Sequence, residues 1–229
     1  MKKGDLFVIS LGGSILVPNG GVDLDFLKGF ARLIKSRITK GDRFVIVVGG
    51  GSTARFYQRA ARAVGRLADE DVDWLGIHAT RLNAHLLRSV FREQALHRVI
   101  KDPREPLNWN KSLLIAAGWK PGWSTDYVAV RLAKRFAARQ VINLSNVSVV
   151  YDKDPNAHAD ARPINQIKWT EFCRLVGSKW IPGMNVPFDP IASKAASKWR
   201  MQAVIANGRD LKNLQKILNG QKFVGTVIS

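Results

Sequence analysis

Cysteine is nearly absent from this 229-residue chain: Cys173 stands alone, so no intrachain disulfide can staple the fold. No Cys or His lies near it in the sequence to suggest a thiol nucleophile. Glutamate is scarce too. Of 18 acidic residues only Glu70, Glu93, Glu105 and Glu171 are glutamates, against 36 Lys and Arg, and the net charge is +18. Glutamate ordinarily pairs with Lys and Arg on exposed helix faces. Its shortage leaves bare basic stripes: Arg55, Arg59, Arg62 and Arg66 fall on one helix face, and Arg131, Arg135 and Arg139 on another. Such a stripe reads as solvated surface, while the excess charge attracts polyanions. No zinc spacing, aromatic RNA-binding motif or basic heptad accompanies the stripes, so nucleic acid is not the favoured partner.

Long apolar runs are also missing. No segment approaches the ~20 apolar residues that span a bilayer. After Met1-Lys2-Lys3, the run Leu6 to Leu11 is broken at Ser10 and ended by Gly12-Gly13, too short for the core of a signal peptide. The expectation is a cytoplasmic protein without a membrane partner. The four histidines (78, 85, 97 and 158) have no metal-ligand spacing. The P-loop pattern is absent. Gly49-x-Gly51-x-x-Ala54 matches a loose dinucleotide fingerprint, but the acids at 69–73 arrive with no strand before them, against that reading.

What is present is an alternation of strands and helices. Hydrophobic residues make up 46% of the chain, enough for a core within a single domain over 1–229. Strands are predicted at Leu6–Leu11, Arg43–Val48, Lys111–Ala117, Val141–Leu144, Val149–Tyr151, Gln202–Ala206 and Gly225–Ile228. Helices are predicted from Leu24 to Ile38 with Asp23 as N-cap, after Ser52 or Thr53, over Leu75–Val99, and from Ser124 or Thr125 to Ala138. Further helices follow Thr170, run from Asp189-Pro190 to about Lys198, and follow Asp210. A polar loop holds Asp154-Pro155 and Asn156. The fold class is α/β, a three-layer αβα sandwich around a mostly parallel sheet. Ligands of such sheets sit beyond the carboxyl ends of the strands. Three glycine-rich turns fall there: Gly12-Gly13-Ser14, Gly49-Gly50-Gly51-Ser52 and Gly118 through Gly122. A turn of this kind brings backbone amides close to an anion, or serves packing alone. Three at equivalent ends favour a phosphate-rich ligand.

Taken in order, these motifs resemble the amino acid kinase superfamily, and within it the archaeal-type UMP kinases, from Ile9 to Ile228. Ser10-Leu11-Gly12-Gly13-Ser14 is similar to the first glycine loop, and Val48 to Arg55 to the second. Asp73 to Ile77 and Thr80 to Ala84 resemble the segment holding the acceptor nucleotide. Gly118 to Asp126 resembles the loop that wraps UMP, and Asn146 to Tyr151 with Asp154-Pro155 the ATP side. Pro182-Gly183, Asp189-Pro190-Ile191-Ala192 and Val224-Gly225-Thr226 complete the pattern.

The resemblance implies a γ-phosphoryl transfer from ATP to UMP, with Mg²⁺ on the ATP phosphates and self-association as a homohexamer. It implies catalytic roles for Gly12, Gly13, Ser14 and Arg55. Gly50, Asp73, Trp119, Lys120, Pro121, Gly122, Trp123, Ser124 and Thr125 would hold UMP. Gly13, Ser14, Gly51, Arg55, Ser145, Asn146, Tyr151 and Asp154 would hold ATP. The acceptor lobe would be about 1–138 and the ATP lobe about 139–229. From the residues alone, Arg55 is also one member of its stripe, Asp73 one acid of a cluster, and Asp154 a turn former. Trp119 and Trp123 suit a nucleobase or a core.

Three positions depart from the pattern. Ser10 stands where many members carry Lys, the usual Asn-Val-Asp-Gly reads Asn146-Val147-Ser148-Val149, and Lys120 replaces His or Gln. These departures keep two alternatives open: a non-catalytic nucleotide-sensing or nucleic-acid-binding relative, and a sister kinase for another small phosphate or carboxylate acceptor.

Overall fold

Side chains alternate across each central strand, and both faces are buried. The computed structural model describes residues 4–19, 21–155, 157–177 and 186–229. Met1 to Lys3, Asn156 and the Pro182-Gly183 motif therefore lie outside the described residues. The first half runs β1 (Leu6–Leu11), α1 (Gly13–Leu16), α2 (Leu24–Thr39), β2 (Arg43–Val48), α3 (Gly51–Val64), α4 (Asp69–Val90), β3 (Leu113–Ala116) and α5 (Thr125–Arg135). The second runs β4 (Gln140–Ser145), β5 (Val150–Tyr151), β6 (Pro163–Ile164), β7 (Gln166–Ile167), α6 (Trp169–Val176), α7 (Pro190–Lys198), β8 (Gln202–Asn207), α8 (Leu211–Leu218) and β9 (Thr226–Ile228).

The main sheet has the order β3-β2-β1-β4-β8-β9-β7. All its pairings are parallel except β8 with β9. Phe7, Ile9, Leu11, Phe44, Ile46 and Val48 point to one face, where they meet α1, α2, α4 and α8. Val8, Val45, Val47, Leu114 and Ala116 point to the other, where they meet α5, α6 and α7. Burial on both faces explains why β2 reads as an unbroken apolar run. Phe30, Phe44, Phe91, Phe172 and Phe188 are fully buried, each contributing about 1.5–3 kcal/mol. The three-layer expectation holds.

Caps explain several boundaries. Asp23 accepts from the Phe26 amide at 2.9 Å, Ser124 from Tyr127 at 3.1 Å, and Asp210 from Asn213 at 2.9 Å. Asp189 accepts from Ala192, with Pro190 opening α7. Other boundaries differ from the sequence reading. α4 ends at Val90 rather than Val99. Ala95, Leu96 and Ile100 are buried because their backbone runs beside the edge strand β3, with Leu96 N–H donating to Leu113 and Ile100 N–H to Ile115. Covering an edge strand and continuing a helix leave the same apolar residues in sequence. α5 ends at Arg135, and Ala137, at φ 54°, turns the chain in left-handed geometry toward β4. Lys168, not Thr170, precedes α6, and Thr170 lies within its first turn. β3 begins at Leu113, and β9 begins at Thr226 and runs antiparallel to β8. The two-residue strands β6 and β7 carry no sequence signal of their own.

Candidate functional site

The carboxyl ends of β1, β2, β3 and β4 open into a cavity of about 690 Å³. Its floor is two glycine turns in backbone contact. A Cβ on Gly13 would lie 2.6 Å from the Gly49 carbonyl carbon, and one on Gly51 would lie 2.8 Å from Val17 O. Gly51 also has φ +63°, a conformation that β-carbons disfavour. Glycine at these two positions lets the turns touch, and the contact brings their amides to one place. The expectation that Ser52 or Thr53 caps α3 is overturned: the helix starts at Gly51 with Gly50 as N-cap and no side-chain cap. Ser52 N–H donates instead to Val17 O. Among the described residues no backbone acceptor outside the helices is bonded by the amides of Gly13, Ser14, Gly50 and Gly51. Uncapped amides at the start of α3 form a ready anion site.

Helix α4 holds the turns in place. Asn83 Nδ2 donates to Gly49 O at 2.9 Å and Gly50 O at 3.0 Å. Thr80 Oγ1 accepts from Gly118 N–H at 2.8 Å and donates to Ile77 O. Asp73 is buried on the same helix and accepts from Gly122 N–H at 2.8 Å. Burial pushes its carboxyl up, and the Gly122 amide opposes that shift. Arg55 lines the cavity and its guanidinium donates to Ser14 Oγ at 3.3 Å. Arg209 lines the cavity too, ion-paired with Asp23 at 2.8 Å.

A second cavity of about 490 Å³ adjoins the first through Asn146, which lines both. Its walls are Val147, Val149, Val150, Val176 and Val186, with Ser145, Tyr151 and Asp154 at the polar side. One cavity is therefore walled mainly by glycine turns with Arg55, Arg209 and Asp73, the other mainly by valines with Lys153 at its polar side. Together they match a phosphate chain continuing into a flat apolar base.

Of the residues the sequence reading names for the site, Gly13, Ser14, Gly50, Gly51, Arg55, Asp73, Trp123, Ser124 and Thr125 line the first cavity. Ser145, Asn146, Tyr151 and Asp154 line the second. Gly12, Trp119, Lys120, Pro121 and Gly122 are not on either wall. Gly12 N–H donates to Leu144 O and clamps β1 to β4. Trp119 stands behind Trp123, with ring centroids 5.7 Å apart, and Lys120 Nζ lies 4.8 Å over the Trp119 ring.

Sequence reasoning placed Thr80 and Asn83 in the acceptor segment without giving either a role, and it missed Gln58 and Arg209. Thr80 and Asn83, one helical turn apart on α4, carried the available signal for a face turned to the glycine loops. It also missed what Ser10 does. Ser10 Oγ donates to Asp126 Oδ1 at 2.7 Å, and Asn143 Nδ2 donates to the same oxygen at 3.3 Å. Asp189 N–H donates to Asp126 Oδ2 at 3.2 Å. Asp126 keeps some exposed surface as a residue, but its carboxyl points inward. Burial, with the Asp189 charge adding to it, pushes that carboxyl up to about 6, against the pull of the Ser10 hydrogen bond. Burial also raises the Asp189 carboxyl. Two carboxyls thus share a corner under the cavity floor.

Uncapped glycine turns at the carboxyl ends of a parallel sheet, opening into an apolar annex, define an α/β nucleotide-binding protein. The chain belongs to the amino acid kinase family, whose profile matches residues 5–207. A uridylate kinase of Methanococcus aeolicus is 37% identical over 227 residues, covering 97% of this chain and 98% of its own. One from Thermoplasma acidophilum is 36% identical over 224 residues, covering 96% and 95%. The crystal structure of uridylate kinase from Archaeoglobus fulgidus superposes with a TM-score of 0.80 at 32% identity, covering 97% of this chain and all of that one. The UMP kinase of Bacillus anthracis, at 23% identity and TM-score 0.79, shares the fold.

Proposed function

We propose that this chain is a UMP kinase that moves the γ-phosphoryl of ATP onto UMP, giving UDP and ADP. The observation that carries this reading is the joining, at Asn146, of an amide-walled cavity and a valine-walled one. In this reading UMP occupies the first cavity beside Gly50, Asp73 and the 119–125 loop. Asp73 holds the ribose, and Trp123 faces the base with Trp119 behind it. ATP places its adenine in the second cavity with Ser145, Tyr151 and Asp154. Its phosphates run past Asn146 to Gly13, Ser14 and Gly51, meeting the UMP phosphate end to end. The acceptor side belongs to about 1–138 and the ATP side to about 139–229.

Phosphoryl transfer needs positioning and charge stabilisation more than covalent chemistry. The UMP phosphate is already ionised at neutral pH, so no general base is needed. Ser10, being neutral, brings no charge to the reaction, and its hydroxyl is engaged with Asp126. Positive charge at the transferring group falls to Arg55 and Arg209, both on the cavity wall. Among the described residues no three His, Cys, Asp or Glu side chains converge. A Mg²⁺ would therefore come with the ATP rather than be held by such a cluster. Bound with ATP, it would supply positive charge to neutralise the phosphates.

Among the described residues no helix is long and apolar enough to cross a membrane, and we assign the enzyme to the cytoplasm. We infer self-association, as a homohexamer by family resemblance. The exposed Phe56, Tyr57 and Val64 of α3 and Leu82 of α4 support an apolar contact between copies. Light scattering at micromolar concentration tests it. The catalytic reading is tested by coupled ADP release with UMP, CMP and dUMP. Turnover with UMP at least about tenfold above the others supports it. Folded protein that binds UMP without turnover supports the sensor alternative.

A further inference from the structure

The last turn of α5 carries charge that the proposed reaction does not use. Arg131, Lys134 and Arg135 line a surface cavity of about 460 Å³ with Pro103, Arg104 and Trp199. This volume lies within the ordinary range for a small-molecule site. It is separate from the other two cavities and shares no lining residue with them. At 1.5 Å per residue it lies about 10–15 Å along α5 from the Ser124 end that faces the first cavity.

The cations fall into two groups. Arg135 donates to Pro103 O at 2.9 Å and Glu105 O at 2.8 Å, which pins the 103–105 loop as one wall. Arg104 makes two hydrogen bonds to Asp102, at 3.0 and 2.8 Å. Glu105 pairs with Arg98 at 2.6 Å. The carboxylates of this loop are therefore each matched to an arginine outside α5. Arg131 and Lys134 are left over. Among the described residues neither makes an ion pair, and Arg131 is held 5.8 Å over the Trp199 ring. A guanidinium fixed over an aromatic ring loses little freedom when it binds an oxyanion. Lys198 and Arg200 flank Trp199 in sequence and are exposed, deepening the local positive potential. No carboxylate lines the cavity.

We propose that this cavity is a second, non-catalytic site for a small polyphosphate-bearing anion, with Arg131 and Lys134 taking the phosphate oxygens. Inorganic tripolyphosphate is the probe, followed by calorimetry at about 50 mM salt, where phosphate contacts are little screened. Three proteins are compared: the parent chain, Arg131→Ala/Lys134→Ala, and Arg59→Ala/Arg66→Ala. The last removes equal charge from the α3 stripe. Thermal melts confirm that each is folded.

The expected result is that Arg131→Ala/Lys134→Ala loses one binding event per chain, or weakens it at least about tenfold. The α3 variant should stay within about twofold of the parent. Equal titrations for the parent and the α5 variant overturn the proposal. Equal weakening in both variants also overturns it, because the binding is then a property of net charge. Single-stranded RNA that binds more tightly than tripolyphosphate, and is lost in the α5 variant alone, overturns the small-ligand assignment in favour of RNA. The readout is binding without turnover, so it stands or falls apart from the UMP kinase reading.

Discussion

The two joined cavities are built by opposite means. The larger is built from backbone: amides of Gly13, Gly50 and Gly51, with the Gly49–Gly50 turn held by Asn83 and the neighbouring Gly118 turn by Thr80, both on α4. The smaller is built from side chains, chiefly Val147, Val149, Val150, Val176 and Val186. Backbone recognition is rigid, since glycine turns in mutual contact have no room for a β-carbon. Side-chain recognition is graded, since a valine can shrink by two methyl groups and leave a cavity. The phosphate side should therefore fail abruptly under substitution and the base side gradually.

The largest expected effect is at Gly13. A β-carbon there meets the backbone of Gly49 and Gly51, so Gly13→Ala should lower kcat/KM for UMP phosphorylation at least about a thousandfold, ~4 kcal/mol. A steady-state assay on folded protein checks this, and a loss under tenfold would show that the turns are not in tight contact. Arg55→Ala comes next, with turnover down at least about tenfold, a loss of ~1.4 kcal/mol of transition-state stabilisation. Unchanged kinetics would remove Arg55 from the site.

The Asp126 corner yields a pH signature, of the same sign as that of the raised Asp73 carboxyl in the first cavity. The Asp126 carboxyl titrates near 6 in the folded chain, against about 3.9 in the unfolded one. Between those values the folded state binds more protons, so this group's contribution makes stability fall as pH rises from about 4 to about 6, then level off. The change amounts to about 1–3 kcal/mol. Asp126→Asn should remove that part of the pH dependence, read by denaturant melts at pH 4.5 and 7.5. An identical slope in both proteins would place the titration elsewhere.

The smallest effect should come from the base side. Val147→Ala removes two methyl groups from the wall of the second cavity. It should raise KM for ATP about fivefold, ~1 kcal/mol, and leave KM for UMP unchanged. A change in KM for UMP alone would reverse the assignment of the two cavities.

The contrast between backbone and side chain also explains what was readable in the sequence. The strands β1 and β2 are bounded correctly because their apolar runs end at glycines. α2 is legible from its stripe and the Asp23 cap. The glycine turns mark the phosphate side by residue type alone, since contacts like that between Gly13 and Gly49 exclude every other residue. The end of α4 is not legible, because Ala95 and Ile100 are apolar in order to cover β3. The corner of Ser10, Asp126, Asn143 and Asp189 is invisible for a different reason. Its members come from β1, α5, β4 and the start of α7, and only the register Ser10 beside Asn143 joins them. Ser10 looked like a missing lysine; in the fold it is the donor to a buried carboxyl. Trp119 and Lys120 sit in the right loop, yet they stack on each other rather than on the cavity.

In the proposed reaction two phosphates meet over one glycine floor. A crystal structure with UMP and a non-hydrolysable ATP analogue tests that most directly. It should show the UMP phosphate and the γ-phosphate at the Gly13, Gly50 and Gly51 amides, with adenine between Val147 and Val186. Adenine in the larger cavity, or phosphates bound away from these amides, would contradict it.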